Sequence, residues 1–337
     1  MCAMAEREDA HQLTNVVQMD DAYLGGEFSG GTAGRGSENK VPFVAAVSLN
    51  ETSTPTCLSL NGENMDDLSM VANTPIWLTR WGADGSRVVL VHGGAQGSEV
   101  GGAKHFSAQE RLAERGWQVL VPDRPGHGRS PSPGRPDDAE LDAAWVAELL
   151  GDGAHLVGHS FGGAVALAAA ARRPCALRSL TLIEPALQKL ATDNADVRRF
   201  GLSVLLSRIF SLSMASRARK FAKLVRIPDE IRGGRSPDQL RRMGEGLSQL
   251  RLPDKATITR QLVHMRDGKV PMLVVTGGWS PAFEATADRV AEIGGARRLV
   301  IASPHHFPQL VSDEFNGVLD EFMRRAEATR GDASVAA

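Results

Sequence analysis

From Ile76 onward, short apolar runs alternate with amphipathic stretches, and this alternation restricts the chain to a narrow set of folds. IWLTRWG (76–82), RVVLVHGG (87–94), WQVLVPD (117–123), HLVGHS (155–160), SLTLIEPA (179–186), PMLVVTGG (271–278) and RRLVIASP (297–304) have the length and composition of strands. HFSAQERLAERG (105–116) and stretches at about 137–150, 161–173, 281–293 and 313–326 read as helices between them. Strands that are apolar throughout, each followed by a helix, predict an α/β fold with a mostly parallel central sheet and helices on both faces. Over 187–266 the alternation stops and the pattern stays helical, as in VRRFGLSVLLSRIFSLSM (197–214), which predicts a helical lid inserted between two late strands.

The expected organisation follows from this. Residues 76–186 and 267–327 form the core, 187–266 the lid and 328–337 a tail. Residues 1–75 are dense in Gly, Ser, Thr and Asn (GGEFSGGTAGRGSEN, 25–39) and sustain no helical period, so they read as a poorly ordered extension. A formal net charge of −2 with 23% charged residues gives no reason to expect a nucleic-acid partner. Cys2, Cys57 and Cys175 are odd in number and lack metal-ligand spacing, which argues against a disulfide framework and for a reducing compartment. Glu6, Glu8 and Asp9 occupy the place where a secretory signal would be apolar, and the longest apolar run, AVALAAAA (164–171), is far short of a membrane span. A cytoplasmic protein without membrane span, metal or cofactor is expected, and a homodimer is left open.

Gly158-His159-Ser160-Phe161-Gly162 lies between an apolar run and an alanine-rich helix. In a strand–turn–helix unit, Gly-x-Ser-x-Gly holds the serine in a strained conformation, while the glycines remove side chains that would strike strand and helix. Such a turn lifts a hydroxyl above the carboxyl ends of the strands, where ligands gather in open α/β sheets. It also places the Phe161 amide at a helix N-terminus, where it can donate to an oxyanion. The bland alternative is a glycine-rich turn that happens to contain serine.

With these motifs the chain resembles the α/β-hydrolase superfamily over about residues 76–327. VLVHGGA (89–95) is similar to the family's oxyanion loop, which implies that the amide of Gly94 pairs with that of Phe161. VPDRPGHGRS (121–130) is similar to the next loop, where Asp123 and Arg124 would be structural. ASPHHFPQL (302–310) resembles the loop carrying the catalytic base, which implies His306 as base and leaves His305 as a polar loop residue or substrate contact. Ser160 precedes His306, as the family order requires.

The family's usual acid is missing: the turn after PMLVVTGG reads Gly277-Gly278-Trp279-Ser280-Pro281, with Ser280 where a carboxylate is expected. A serine cannot offset an imidazolium. Three arrangements remain open: Glu184 in LTLIEPA, one sheet position away; Glu284, in the first turn of the following helix, where it can simply complement the helix dipole; and no acid at all. Glu184 is favoured, because a carboxylate at the end of a buried strand is costly without a partner.

Residues 187–266 hold 17 Lys plus Arg against 7 Asp plus Glu. Solvated outer helix faces account for this simply, and attraction of anions is the sharper reading. Phe200, Leu205, Leu206, Ile209, Phe210, Met214, Phe221 and Leu224 are expected to point inward and line an apolar pocket over Ser160.

The segment MDDAYLGGEFSGGTAGRGSENKVPFVAAVSL (19–49) resembles the start of the catalytic domain of a group of bacterial insertion-sequence transposases. The remaining carboxylates of such a domain have no room before the hydrolase-like part begins, so the segment reads as a remnant.

The resemblance implies a serine hydrolase that cleaves a carboxylic ester or lactone of a moderately hydrophobic small molecule, with Ser160, His306 and Glu184 as catalytic residues. Carbon–carbon bond hydrolysis, acyl transfer or perhydrolysis on the same fold remain alternatives, as does a ligand-binding protein without turnover. Dehalogenation and epoxide opening are disfavoured, since their nucleophile would be an aspartate at position 160.

Overall fold

In a computed structural model, the backbone is described at residues 16–24, 41–49, 55–56, 67–232 and 235–335. The chain divides into two units, Met1–Gly62 and Glu63–Ala337. In the first, strands β1 (Val16–Leu24), β2 (Val41–Leu49) and β3 (Pro55–Thr56) form an antiparallel sheet, with Val16 opposite Leu49 and Leu24 opposite Val41. The transposase-like segment falls on β1, β2 and the residues between them; those intervening residues, like most of the expected extension, lie outside the described ones.

The second unit is built on an eight-stranded sheet. Its strands are β4 (Asp67–Val71), β5 (Thr74–Trp81), β6 (Ser86–Val91), β7 (Trp117–Pro122), β8 (Ala154–His159), β9 (Leu177–Ile183), β10 (Met272–Thr276) and β11 (Arg297–Val300), in the order β11-β10-β9-β8-β6-β7-β5-β4. β5 pairs antiparallel with both β4 and β7, and the other pairings are parallel. The sheet therefore starts earlier than the sequence pattern suggested, since β4 lies within the stretch expected to be an extension. DLSMV is short, partly polar and at the edge of the sheet, so it lacks the apolar run of an internal strand.

The helices are α1 (Ala139–Leu149), α2 (Phe161–Arg172), α3 (Ala195–Ile209), α4 (Met214–Leu224), α5 (Pro237–Gln249), α6 (Lys255–Asp267), α7 (Pro281–Gly294) and α8 (Glu314–Val335), with one-turn helices among them. α8 runs through most of the expected tail. Along the central strands, alternate residues enter two separate cores. Val89, Val91, Leu156 and Val274 join α1, α2 and α6 on one face, whereas Val88, Leu90, Val157 and Val275 join Phe315, Leu319 and Met323 of α8 on the other. This double burial explains why the strands read as continuous apolar runs.

The stretch inserted beyond the core is narrower than 187–266. α6, capped by Asp254, buries Ile258, Leu262 and Met265 in the same core as α2. The chain rejoins the core at Arg251, whose amide donates to the Asp137 carbonyl (2.9 Å) and whose carbonyl accepts from Ala139 (3.2 Å). A core helix and a lid helix share the same periodicity, so the sequence alone merged them. α3, α4 and α5 make up the insertion proper.

Candidate active site

The residues singled out in sequence gather above the carboxyl ends of β6, β8, β9 and β10. Ser160, directly after β8, has φ 56° and ψ −119°, a sparsely populated conformation for a residue with a side chain. The glycines around it explain how the chain tolerates this. A Cβ on Gly158 would stand 2.4 Å from the Gly162 carbonyl oxygen, and one on Gly162 would stand 2.2 Å from the Val91 oxygen. Backbone bonds pin the turn to β9: Ser160 donates to the Ile183 carbonyl (2.9 Å), and the Ser160 carbonyl accepts from Ala186 and Gly163 (2.9 Å each).

The loop after β6 runs beside the serine: a Cβ on Gly93 would lie 3.3 Å from Ser160 Oγ. Gly94 has φ 96°, and its carbonyl accepts from Arg124 Nη2 at 3.0 Å. Phe161 opens α2, and the first amides of a helix have no partner within it. Gly94 and Phe161 are thus brought to the same end of the sheet as Ser160.

Glu184, the first residue beyond β9, is fully buried with φ 44°. Its amide donates to the Val275 carbonyl of β10 (2.9 Å), which fixes its backbone between β9 and β10. Glu184 Oε2 accepts from His306 Nδ1 at 3.0 Å, and Oε1 accepts from the Gly277 amide at 2.6 Å. Both oxygens of a buried carboxylate are thereby satisfied. Glu284 is engaged elsewhere: it accepts from Thr276 Oγ1 (2.7 Å) and the Gly278 amide (2.9 Å) and pairs with Arg298. Ser280 is the N-cap of α7 but makes no side-chain cap bond. The turn that lacks a carboxylate still reaches Glu184, through the backbone of Gly277.

His306 is buried, and its ring is packed against Phe283 (4.7 Å between centroids), His159 (4.8 Å) and Trp279 (6.0 Å). His159, the residue before Ser160, donates from Nε2 to the His306 carbonyl at 2.7 Å, which ties the histidine loop to the serine turn. His305 is half-buried and braces that loop, its Nδ1 accepting from the Phe307 amide (3.2 Å).

Beneath this layer lies a buried polar frame centred on Arg124, which the resemblance marks as structural without naming its partners. Arg124, fully buried, donates to the carbonyls of His92 (3.1 Å) and Gly94 and to Asp137 (2.8 Å) and Asp142 (3.1 Å), and its guanidinium lies 4.5 Å from the Phe161 ring centroid. His92 donates from Nδ1 to the Gly93 carbonyl (2.7 Å) and accepts at Nε2 from the Arg124 amide (2.9 Å), an arrangement only a neutral imidazole satisfies. Its ring stacks on His105 at 5.0 Å. Burial holds His92 and His159 well below the usual histidine range, lowers His127, and lowers His105 to about 4. Burial alone would raise Asp137, but the charges of Arg124 and His127 hold it below the usual carboxylate range. The motif DRPGHG announces a loop, but a fivefold set of arginine contacts depends on distant residues and leaves no local signal. Among the described residues no group of His, Cys, Asp and Glu is arranged to hold a metal ion.

The insertion does not point as expected. Leu205, Leu206, Ile209 and Phe210 are exposed, whereas Phe200 packs edge-on to Phe283 at 5.4 Å. Of the apolar residues expected to face inward on α3, only Phe200 reaches the neighbourhood of His306.

A glycine-flanked turn above a mostly parallel sheet, with a buried carboxylate–imidazole pair beside it, defines an α/β hydrolase. The chain belongs to the alpha/beta hydrolase family, whose model matches residues 88–318. It is 36% identical over 148 residues to lipase LipV of Mycobacterium tuberculosis, an alignment covering 42% of this chain and 52% of that lipase, so the chain spans about half of that relative. It is 30% identical over 257 residues to the pimeloyl-[acyl-carrier protein] methyl ester esterase of Neisseria meningitidis serogroup A, covering 70% of this chain and 78% of the esterase. Among solved structures, the haloalkane dehalogenase DatA from Agrobacterium tumefaciens superposes with a TM-score of 0.60 at 17% identity, over 78% of this chain and 97% of that one, a likeness of fold.

Proposed function

We propose that the chain is a serine hydrolase acting on a carboxylic ester of a moderately hydrophobic small molecule, with lactones as cyclic members of the same substrate class. The observation that supports turnover most directly is the 3.0 Å contact from His306 Nδ1 to Glu184 Oε2. It holds the imidazole in the tautomer whose Nε2 can accept a proton, and it supplies the negative charge that stabilises an imidazolium. In this mechanism Ser160 Oγ gives its proton to His306 Nε2 and attacks the carbonyl carbon. The amides of Gly94 and Phe161 hold the oxyanion, and His306 returns the proton to the departing alcohol. Water, deprotonated by His306, then releases the acid from Ser160. Esterase and lipase relatives support an ester bond, while the serine at position 160 counts against the reaction named for DatA, which would need a carboxylate nucleophile.

The test is turnover of p-nitrophenyl acyl esters together with covalent labelling by a fluorophosphonate. Turnover is expected to disappear in Ser160→Ala, with the label found on Ser160 in the unaltered chain and with an unchanged melting temperature. Full activity in Ser160→Ala would remove the nucleophile assignment. A labelled Ser160 without multiple turnovers would point to acyl transfer.

A further inference from the structure

We infer that the outer face of α3 and the start of the following turn form a docking surface for an anionic lipid–water interface. α3 has two apolar faces. Val197 is buried against Ala191 and Ala282, with Phe200 beside them, and this face covers Phe283 and so the neighbourhood of His306. Leu202, Leu205, Leu206 and Ile209 follow the spacing i, i+3, i+4, i+7 and form a second stripe. That stripe is exposed, at 63% for Ile209, and continues into Phe210 and a fully exposed Leu212. Soluble surfaces carry single exposed apolar residues routinely, but a contiguous row of this kind marks an interaction site.

Charge selects the partner. Residues 195–226 contain eight Lys plus Arg and a single acid, Asp196. α4 carries the exposed Arg219, Lys220 and Lys223 and abuts the end of the stripe: Lys220 Nζ donates to the Phe210 carbonyl (2.7 Å) and Arg217 to the Arg208 carbonyl (3.0 Å). Leucine, isoleucine and phenylalanine flanked by arginine and lysine are the composition of helices that lie in the plane of an anionic bilayer surface. A second copy of this chain fits less well, because a two-fold contact would bring two strongly cationic surfaces together. No described helix is long and apolar enough to cross a membrane, so this would be contact from one side. The surface stands without the nucleophile assignment. If that assignment also holds, the helix over His306 is the one that meets the lipid, and esters dissolved in the interface become the natural substrate pool.

The experiment is co-sedimentation of the full chain with vesicles of phosphatidylcholine alone and of phosphatidylcholine with one quarter phosphatidylglycerol. Binding is read without turnover, so its outcome is separate from that of the ester assay. Binding to the anionic vesicles only, weakened by salt, is expected. It should fall about tenfold or more in Leu206→Glu/Ile209→Glu and in Arg219→Glu/Lys223→Glu, with melting curves confirming that both variants are folded. Absence of binding to the anionic vesicles overturns the proposal. So does unchanged binding by both folded variants, or a concentration-dependent dimer of the unaltered chain that the leucine variant abolishes while vesicle binding is absent.

Discussion

His306 Nδ1 lies 3.0 Å from Glu184 Oε2, while Glu284, four residues beyond the serine that stands in the acid's usual turn, is held by Arg298, Thr276 and Gly278. The two glutamates should therefore answer differently to the loss of a charge. Glu184→Gln is expected to lower kcat for a p-nitrophenyl ester by about 10³–10⁴-fold, because an uncharged partner neither fixes the tautomer nor offsets the imidazolium. Glu284→Gln should leave kcat within about twofold and lower only the unfolding free energy read from urea titration, by on the order of 1 kcal/mol. The reverse pattern in steady-state kinetics would move the acid to the later turn.

Steric contacts around the elbow, the sharp turn at Ser160 between β8 and α2, lead to a paired stability test. A methyl group added at Gly162 would lie 2.2 Å and 2.5 Å from the backbone oxygens of Val91, the last residue of β6, and His92, whose carbonyl Arg124 holds, and neither can yield cheaply. Gly162→Ala is expected to lose at least 1–3 kcal/mol, the usual range for overpacking a core, which is about what a main-chain clash adds as a minimum. Gly201, inside exposed α3, has nothing within 4 Å of an added Cβ. Gly201→Ala should stabilise by up to ~1 kcal/mol through helix propensity. Urea unfolding of both variants checks the pair, and equal effects would mean that the elbow can relax.

Local chemistry made part of this legible in sequence. A strand buried on both faces shows an apolar run in place of polar alternation, so β6, β8, β9 and β10 are legible by runs such as VVLV, LTLI and MLVV, and the glycines flanking Ser160 mark the elbow because an added Cβ would clash there. Three carboxylate arrangements stayed open because choosing among them requires knowing which strand ends are neighbours; Glu184 meets Gly277 and His306 only because β9 pairs with β10. Of the residues expected to face inward from the insertion, Leu205, Leu206, Ile209 and Phe210 are exposed, whereas Phe200 packs inward and Met214, Phe221 and Leu224 are half-buried. α3 carries apolar residues on two sides, and periodicity cannot tell which side has a partner. The resemblance marks Arg124 as structural, but not its partners, since the groups it holds come from two loops and a helix far apart in the chain.

Arg124 provides the next test. Its removal would strand the carboxylates of Asp137 and Asp142, each almost without exposure, and free the carbonyls of His92 and Gly94. Arg124→Met is expected to cost about 3–5 kcal/mol, the range for breaking a buried ion pair from one side. Arg124→Lys keeps one charge but not the planar fork, so it should recover part of the stability while still lowering kcat, because one ammonium cannot hold both carbonyls and both acids. Urea midpoints and ester kinetics on the two variants separate these effects. If Lys restored kcat fully, the arginine's hold on the Gly94 loop would be irrelevant to turnover.

The buried histidines predict how stability depends on pH. His92, His105, His127 and His159 all have folded-state values below the ordinary histidine value, through burial first and neighbouring positive groups second, except that for His105 the bond to Gly101 partly opposes burial. The unfolded chain takes up protons near pH 6.5 while the folded chain does not, so their stabilising contribution is complete above that pH and is lost as pH falls toward the folded values. For His105, with a folded value of about 4, the loss is about 1.4 kcal/mol per pH unit below 6.5, reaching roughly 3 kcal/mol near pH 4. Asp123, raised by burial, works in the opposite direction nearer the carboxylate range, and the lowered Asp137 adds to the loss only in stronger acid. Urea unfolding at pH 7.5, 6.0 and 5.0 should give falling free energies, with a shallower slope in His105→Gln. A stability that is flat between pH 7.5 and 5.0 would mean that these imidazoles titrate normally in the folded protein, and that the frame beneath the serine is open to water.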